Sequence, residues 1–414
     1  MNGRRRTATH PIGSCEGDSL RITDVTFHKI NIPLEAPLIW SGGSMAWWTR
    51  IIVRMQTDEG IEGIGETTGS DATMALLHHY KSFFVGEDPA DLELIRKNFW
   101  YVPLYEGFSG QWAIAALETC CWDILGKAAD RPLCQLIGGK VRSRIPVSGY
   151  VFPRQMNADG VGGERTPEQL VEQARSQVAE YGVKTIKLKG GSAPPEEDLT
   201  TLEALRDTFP HHKLRFDPNS IWTVENVIRA APRLEALNLE WCEDLVWGFE
   251  AMSRARSQAR LVFSTNMCSV QLDHMPMALG MKTIDVQLMD PIDLGGLTAT
   301  MKVAATCQAY QLGTSLHSAG ESSLGAALML HVAAALPSLP YAMDTHAHYQ
   351  TDDVTTEPFR VVDGFIDLPT GPGLGVSIDE DRLAFLARHN AENGDSLVYG
   401  DMDDRHEPRF PGMW

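Results

Sequence analysis

Thr185-Ile186-Lys187-Leu188-Lys189-Gly190-Gly191 is the stretch of this sequence that decides the fold. It is typical of a short β-strand that runs into a glycine turn. Side chains alternate between the two faces of a strand, so Lys187 and Lys189 share one face while Ile186 and Leu188 share the other. Two lysines on one face are, taken alone, typical of a solvated surface. The segments that follow point to another role.

The segments downstream repeat one pattern. Short apolar runs recur at intervals of roughly 25 residues, about the length of one strand and one helix, and each run ends at a polar residue. These polar residues are Asp217, Glu243, Asn266, Asp290, His317 and Asp344. One helical pattern precedes each of these residues, at 196–209, 224–237, 249–260, 269–280, 297–312 and 323–336. The alternation predicts a parallel sheet, and seven or eight such units close into a barrel with catalytic residues at the carboxyl ends of its strands.

The rest of the chain predicts a second, smaller domain. We expect one more barrel strand at 145–151, with Tyr150 near its end, and a helix at 167–181. Alternating strands at 21–35, 51–57 and 61–66 and a helical stretch at 70–137 predict an α+β cap, and residues 345–395 read as short strands and turns. The expected units are a disordered tail (1–18), the capping domain (19–140), the barrel (141–365) and a segment that returns to the cap (366–414).

Composition limits the possible partners. The 414 residues carry 36 Lys and Arg against 54 Asp and Glu, a net charge of −18, which argues against nucleic-acid or anionic-membrane binding. A small anionic substrate stays possible, because nearby lysines and a metal outweigh a distant negative field. The seven cysteines, without a C-x-x-C pair, predict reduced thiols in a cytoplasmic protein. No run approaches the roughly 20 apolar residues of a membrane span.

Three of the strand ends predict a metal site. Asp217, Glu243 and Asn266 end successive strands and offer only oxygen ligands, which favour magnesium over zinc. Each residue has an ordinary alternative as a helix cap, a solvated loop charge or a turn former. The occurrence of all three at successive strand ends favours the metal site.

The next two strand ends predict a general acid or base. Asp290 would hold one imidazole nitrogen of His317 and leave the other nitrogen for proton transfer, with Asp285 as a rival partner deeper in the barrel. Lys189 would be the base on the opposite face and Lys187 its electrophilic partner. This arrangement suits removal of the proton next to a carboxylate, because the metal and a second cation can stabilise the resulting enediolate.

These residues resemble the enolase superfamily, mandelate racemase-like subgroup, and within it the glucarate dehydratase-type enzymes. The resemblance covers roughly residues 20 to 385 and rests on five strings, which are Ile186-Lys187-Leu188-Lys189-Gly190-Gly191, Asp217-Pro218-Asn219, Thr265-Asn266-Met267, Asp344-Thr345-His346 and Gly371-Pro372-Gly373-Leu374-Gly375. It implies a modified TIM barrel, (β/α)7β, with one Mg²⁺ and loss of water from an acid sugar. It also implies that Tyr150, Asn219 and His346 contact the substrate, and that the barrels associate as homo-oligomers.

The chain departs from that family in its loops. The segment Ile39-Trp40-Ser41-Gly42-Gly43-Ser44 lacks the asparagine and histidine usual there, and Ser318-Ala319-Gly320-Glu321 replaces an asparagine-rich run. Trp40–Trp48 fits a lid over the distal end of the substrate or a surface turn held by its tryptophans. Another aldarate or an aldonate is therefore as good a candidate substrate as D-glucarate. Three functions stay open: an acid-sugar dehydratase, a racemase or epimerase of a 2-hydroxy acid, and a non-catalytic sugar-acid-binding relative.

Overall fold

The computed structural model describes residues 20–98 and 106–396. The tail expected at 1–18 lies outside these ranges, and the expected domain limits stay predictions. The chain begins with a three-stranded antiparallel sheet in the order β1-β2-β3. Its strands are β1 (Ile22–Trp40), β2 (Gly43–Thr57) and β3 (Glu62–Thr68). The turn Asp58-Glu59-Gly60 joins β2 to β3, as the sequence predicts, and Gly60 takes a φ of +76°.

Four described helices follow this sheet, and the first and third of them pack on it. They are α1 (Asp71–Phe84), α2 (Leu92–Asn98), α3 (Gly107–Ala128) and α4 (Leu133–Leu136). Gly63 and Gly65 allow α3 to lie against β3, because a Cβ at these positions would come within 2.3 Å of Cys120 O and 2.5 Å of Ala116 O. Cys120 and Cys121 are buried in this contact. Their role here is packing.

The second sheet has seven parallel strands in the order β11-β10-β9-β8-β7-β6-β5. The strands are β5 (Gly149–Val151), β6 (Thr185–Lys189), β7 (Lys213–Asp217), β8 (Trp241–Glu243), β9 (Phe263–Thr265), β10 (Val286–Met289) and β11 (Gly313–Leu316). The helices are α5 (Pro167–Tyr181), α6 (Pro195–Thr208), α7 (Val224–Ala236), α8 (Phe249–Gln258), α9 (Met275–Gly280), α10 (Leu297–Ala309) and α11 (Ser323–Ala335). The predicted α/β alternation is thus confirmed.

A short eighth segment closes the sheet into a barrel. Met343 bridges to Val147 in parallel, and its N–H donates to Pro146 O at 2.8 Å. On the other side, Asp344 N donates to Leu316 O at 3.0 Å. The segment around Met343 therefore hydrogen-bonds with both ends of the seven-stranded sheet, which makes the architecture (β/α)7β.

Local sequence signals define the helix ends. Thr166 caps α5 in a reciprocal pair with Gln169, and Gly182 ends the helix at a φ of +69°. Thr223 and Asn226 form the same capping box at the start of α7. Such caps satisfy backbone groups that the first and last turns leave without helical partners.

The helix α11 connects the barrel to the cap. All of its residues are buried, so it packs on both domains. At its start, Glu66 of β3 accepts hydrogen bonds from Ser322 N at 3.0 Å and Gly325 N at 2.9 Å, and Arg50 of β2 pairs with Glu66 at 2.7 Å. This buried contact holds the cap above the barrel mouth.

Several local expectations were wrong. Residues 145–151 divide between β5 and β4 (Arg144–Pro146), which pairs outside the barrel with β12 (Phe365–Asp367). The stretch 269–280, expected as one helix, contains a 3₁₀ turn at Leu272–His274 followed by the short helix α9. Pro276 lies in the first turn of α9, where a proline is tolerated. Part of the region expected as strands and turns is a helix, α12 (Glu380–Asn393). Asp379 caps this helix, and the helix packs on β1. Among the described helices none is long and apolar enough to cross a membrane.

Candidate active site

The strand ends bring the predicted residues together at one mouth of the barrel. Asp217 and Glu243 are the last residues of β7 and β8, and Asn266 directly follows β9. Asp290 and His317 directly follow β10 and β11. All carboxyl ends of parallel strands lie at one edge of the sheet, so these side chains share one buried site.

Lys187 is a fully buried cation among three carboxylates. Its Nζ lies 2.6 Å from Glu243 Oε2, 2.8 Å from Asp344 Oδ2 and 3.7 Å from Asp217 Oδ2. Burial lowers the pKa of Lys187, but the charges of Asp344 and Glu243 outweigh burial and raise this pKa above its ordinary value. Lys187 therefore keeps its positive charge.

Lys189 and Tyr150 share one oxygen of Asp217. Lys189 Nζ lies 2.6 Å from Asp217 Oδ2, and the Tyr150 hydroxyl donates to the same oxygen at 3.0 Å. Burial raises the pKa of Asp217, but the two lysines lower it well below its usual range. Burial, with the charge of Asp217, raises the pKa of Tyr150 far above its ordinary value, so the phenol remains a donor.

Asp217, Glu243 and Asn266 offer oxygen ligands of the kind that a hard divalent cation prefers. One terminal atom of the Asn266 amide lies 3.2 Å from Glu243 Oε1 and 3.0 Å from Asp244 Oδ2. With nitrogen at this position the amide donates two hydrogen bonds, whereas with oxygen there the oxygens of Asn266, Glu243 and Asp244 face one another, and a cation between them would relieve their repulsion. Burial raises the pKa of Glu243 to about 7, and a cation would favour its ionised form.

Asp244 fixes the loop that carries Asn266. Its Oδ2 accepts hydrogen bonds from Asn266 N at 2.9 Å and Met267 N at 3.2 Å, and its Oδ1 accepts from the Thr265 hydroxyl. Asp244 has a φ of +39°, which an aspartate tolerates better than most residues. Leu245, the residue after Asp244, is buried in the barrel wall.

The predicted contact between His317 and Asp290 is present. His317 Nδ1 lies 3.2 Å from Asp290 Oδ2, while Asp290 Oδ1 accepts a hydrogen bond from Ile292 N at 2.8 Å. Burial lowers the pKa of His317, but the hydrogen bond and charge of Asp290 outweigh burial and raise it to about 9. The rival Asp285 pairs instead with Arg256, whose Nε lies 3.0 Å away.

The three predicted substrate contacts line the same mouth. Asn219 has a φ of +50°, and its N–H donates to Asp217 Oδ1 at 2.9 Å. His346 Nδ1 lies 2.8 Å from Ser318 Oγ, and its ring lies 5.1 Å from that of Tyr150. Burial, with the charges of His317 and Lys189, holds the pKa of His346 well below its ordinary value. A neutral imidazole therefore stands beside the cationic groups.

The end of the β1–β2 hairpin lies over the barrel loops. The segment Trp40–Trp48 consists of the end of β1, a two-residue turn at Ser41 and Gly42, and the start of β2. Its description as a loop was wrong. Ile39 N donates to Pro153 O at 2.8 Å, and the ring of Trp48 lies 5.1 Å from that of His346. Gly320, at a φ of +81°, lies on the face of Trp48, where a Cβ would come within 2.2 Å of the indole.

Sequence reasoning assigned no role to two carboxylates of this site. Asp344 contacts Lys187, and its position at the end of the last repeat was a usable signal. Asp293 lies within 4.8 Å of both Asp290 and His317, and it accepts a hydrogen bond from Trp112 Nε1 at 2.7 Å. Burial and the charge of Asp290 raise the pKa of Asp293 to about 7. Asp293 lies in an irregular turn, so no strand or spacing signal marked it.

Comparisons with known proteins agree with this geometry. Residues 22–138 match the model of the mandelate racemase / muconate lactonizing enzyme N-terminal domain, and residues 169–382 match the enolase C-terminal domain-like family. A Streptomyces coelicolor protein named "Probable glucarate dehydratase" is 34% identical over 93% of this chain and 95% of its own length. The N-succinyl-L-Arg/Lys racemase of Bacillus cereus is 28% identical over 89% of this chain and 98% of its own length.

A solved structure shows the same fold with a metal. An enolase from Thermobispora bispora, complexed with magnesium and formate, has a TM-score of 0.86 and 36% identity over 91% of this chain and 94% of its own. The two family models, the (β/α)7β barrel with its cap and the residues at the barrel mouth lead to one assignment. The chain belongs to the enolase superfamily, with the N- and C-terminal domains of the mandelate racemase and muconate lactonizing enzymes.

Proposed function

We propose that this protein is a Mg²⁺-dependent dehydratase of an acid sugar, an aldonate or aldarate, that forms a 2-keto-3-deoxy acid. The observation that carries the proposal is the placement of two proton-transfer groups on either side of one set of oxygen ligands. Lys189 ends β6 and His317 follows β11, while the oxygens lie on the strands between them. The dehydratase name of a relative at 34% identity supports the same reaction.

Asp217, Glu243 and Asn266 would hold the Mg²⁺. The bound ion would polarise the substrate carboxylate and stabilise the negative charge that develops there when the α-proton leaves. The magnesium in the Thermobispora bispora enolase supports this cofactor. Lys187 adds a permanent positive charge beside the ligands, because three carboxylates keep its ammonium group protonated.

Lys189 in its neutral form takes the proton from the carbon next to the carboxylate and becomes the ammonium ion that pairs with Asp217. Its Nζ lies at the rim of the ligand set, 2.6 Å from Asp217 Oδ2, and is almost buried. The carbanion electrons form the C2–C3 double bond as the C3–O bond breaks. Tyr150 donates to the same Asp217 oxygen and so keeps that carboxylate in place when Lys189 moves toward the substrate.

His317 protonates the departing hydroxyl. The charge of Asp290 keeps the imidazole protonated at neutral pH, so its second nitrogen can donate a proton to the leaving oxygen, which departs as water. The enol product then takes a proton at C3 and becomes the 2-keto-3-deoxy acid. The net change is the substrate converted to product plus one water.

The leaving group separates the two enzymatic alternatives. In both reactions one group must be neutral to take the α-proton and the other must be protonated, but elimination delivers the second proton to the departing 3-hydroxyl and racemisation delivers it to the α-carbon. A racemase relative at 28% identity keeps racemisation as the second candidate. A purely binding protein has no need for Lys189, His317 and Asp290 together.

The test is a product analysis with two variants. The purified protein, with Mg²⁺, is incubated with a panel of mono- and diacid sugars, and 2-keto acids are detected with semicarbazide while NMR in D₂O follows the α-proton. We expect a keto acid from the wild type. His317→Asn should lose the keto acid but still exchange the α-proton, and Lys189→Ala should lose both. An epimer without keto acid would establish racemisation instead.

A further inference from the structure

We infer that the substrate carries one carboxylate only, and that its opposite end is neutral and lies against an apolar wall supplied by the cap. This inference rests on the proposed function, because it concerns the far end of the same acid sugar. We define the distal wall as Leu38, Met45, Trp48 and Phe152. Three of its residues come from the β1–β2 hairpin, whose end lies over the barrel loops.

The distal wall is continuous with the predicted metal site. The Tyr150 hydroxyl donates to Asp217, and the Phe152 ring lies 4.4 Å from the Tyr150 ring. His346 lies 5.1 Å from Tyr150 and 5.1 Å from Trp48. A substrate bound through a metal at Asp217 would therefore lie near these rings where it extends toward the cap.

The hairpin side of the wall is apolar. Leu38 and Met45 pair across the two strands, and both pack with Tyr150 and Phe152 in one cluster. Leu38 is buried. Such a surface favours a carbon chain, and a carboxylate placed against it would lose its hydration without gaining a partner.

Five described cations of the barrel mouth and the cap have carboxylate partners. The pairs are Lys187 with Glu243 and Asp344, Lys189 with Asp217, Arg50 with Glu66, Arg154 with Glu35 and Glu164, and Arg215 with Glu240 and Asp344. A second substrate carboxylate would have to compete with one of these partners. The charge balance of the described residues therefore favours a monoanion.

Two arginines could meet a second carboxylate. Arg50 has a buried Nη2 without a hydrogen-bond partner in the described chain, but its side chain already pairs with Glu66, and its charge also partly offsets the upward pKa shifts that burial causes in Asp293 and Glu321. Arg165 borders a cavity of about 180 Å³ that Lys189 also borders. If a diacid bound, Arg165 would be the cation to test.

The wall also offers one uncharged donor. Trp48 Nε1 is buried and donates to no partner among the described residues. An indole N–H can donate to a neutral hydroxyl at the end of an aldonate, although it cannot neutralise a carboxylate. The spare donor thus fits a hydroxymethyl end.

The experiment compares matched pairs of six-carbon acids. Each aldonate is paired with the aldarate that has the same configuration from C2 to C5, so that the two differ only in a hydroxymethyl or carboxylate at C6. Dissociation constants are measured with Mg²⁺ by tryptophan fluorescence, and turnover is measured as keto acid. We expect the aldonate that binds best to bind about 100-fold more tightly than its aldarate. Equal or tighter binding of the aldarate overturns the inference.

Variants give an independent readout. Met45→Arg adds a cation to the wall and should tighten binding of the aldarate at least 10-fold, whereas Met45→Gln, similar in length but neutral, should not. An aldarate preference in the wild type that Arg165→Gln removes would overturn the inference and assign the distal carboxylate to Arg165.

Failure of the inference and failure of the proposed function give different results. Selective binding of aldonates without keto acid leaves the inference standing and overturns the dehydratase. Keto acid formed equally from both members of a pair overturns the inference and leaves the dehydratase standing. No binding of any acid overturns both.

Discussion

The contact between Asp290 and His317 allows one quantitative prediction. Asp290→Asn keeps the size of the side chain but removes its charge, which lies 3.2 Å from the imidazole. In the wild type, burial lowers the pKa of His317 and Asp290 raises it, with a net increase from 6.5 to about 9. Without the carboxylate, burial and the charge of Lys187 lower the pKa of His317 and only the charge of Glu243 raises it, so this pKa should return to 6.5 or below.

The size of the effect follows from the protonated fraction of His317. At pH 8, a pKa of about 9 leaves about nine-tenths of the imidazole protonated, whereas a pKa of 6.5 leaves roughly 3 in 100. If His317 is the acid, kcat for dehydration should therefore fall about 30-fold at pH 8 and only slightly near pH 5.5. Activity should be lost as the pH rises through the pKa of His317, because only the protonated imidazole can act as the acid.

The assay is the pH profile of kcat for keto-acid formation, measured with saturating Mg²⁺. The descending limb should move from about pH 9 in the wild type to about 6.5 or lower in Asp290→Asn. Asp285→Asn is the matched control, because Asp285 pairs with Arg256 on another face and its loss should leave the limb in place. An unchanged limb in Asp290→Asn, or an equal loss at all pH values, would refute the role of Asp290 in keeping His317 protonated.

Three further outcomes are expected. Lys189→Ala should abolish turnover and α-proton exchange with Mg²⁺ affinity near normal, measured by calorimetry; residual exchange at the wild-type rate would exclude it as the base. Asp217→Ala should lose Mg²⁺ affinity, and an unchanged Mg²⁺ dependence of activity would remove it from the ligand set. Leu330→Ala, in the fully buried middle of α11, should destabilise the fold by about 2–5 kcal/mol in urea unfolding, whereas the exposed Ile228→Ala should cost little; equal midpoints would contradict the packing argument.

The sequence alone determined the barrel and the order of its polar residues. A repeat of one strand and one helix is a local property, since strand alternation and helical periodicity depend on neighbouring residues. Parallel strands bring their carboxyl ends to one edge, so Asp217, Glu243 and Asn266 could be placed together before any coordinates existed. The same logic placed Lys187 and Lys189 on one face.

The tertiary structure alone decided which charges pair and what covers the site. Asp285 and Asp290 lie at the two ends of the strand before His317, so the sequence offers both as partners of the imidazole. The structure pairs Asp285 with Arg256 and Asp290 with His317. Lys187 meets Asp344 across 157 residues of chain, a contact that no local pattern contains. The end of the β1–β2 hairpin resembles a loop in the sequence, because its position over the site depends on the contact of Trp48 with His346, which is distant in the chain. Side-chain partners and lid position depend on contacts distant in the chain, and such contacts leave no periodic signal in the sequence.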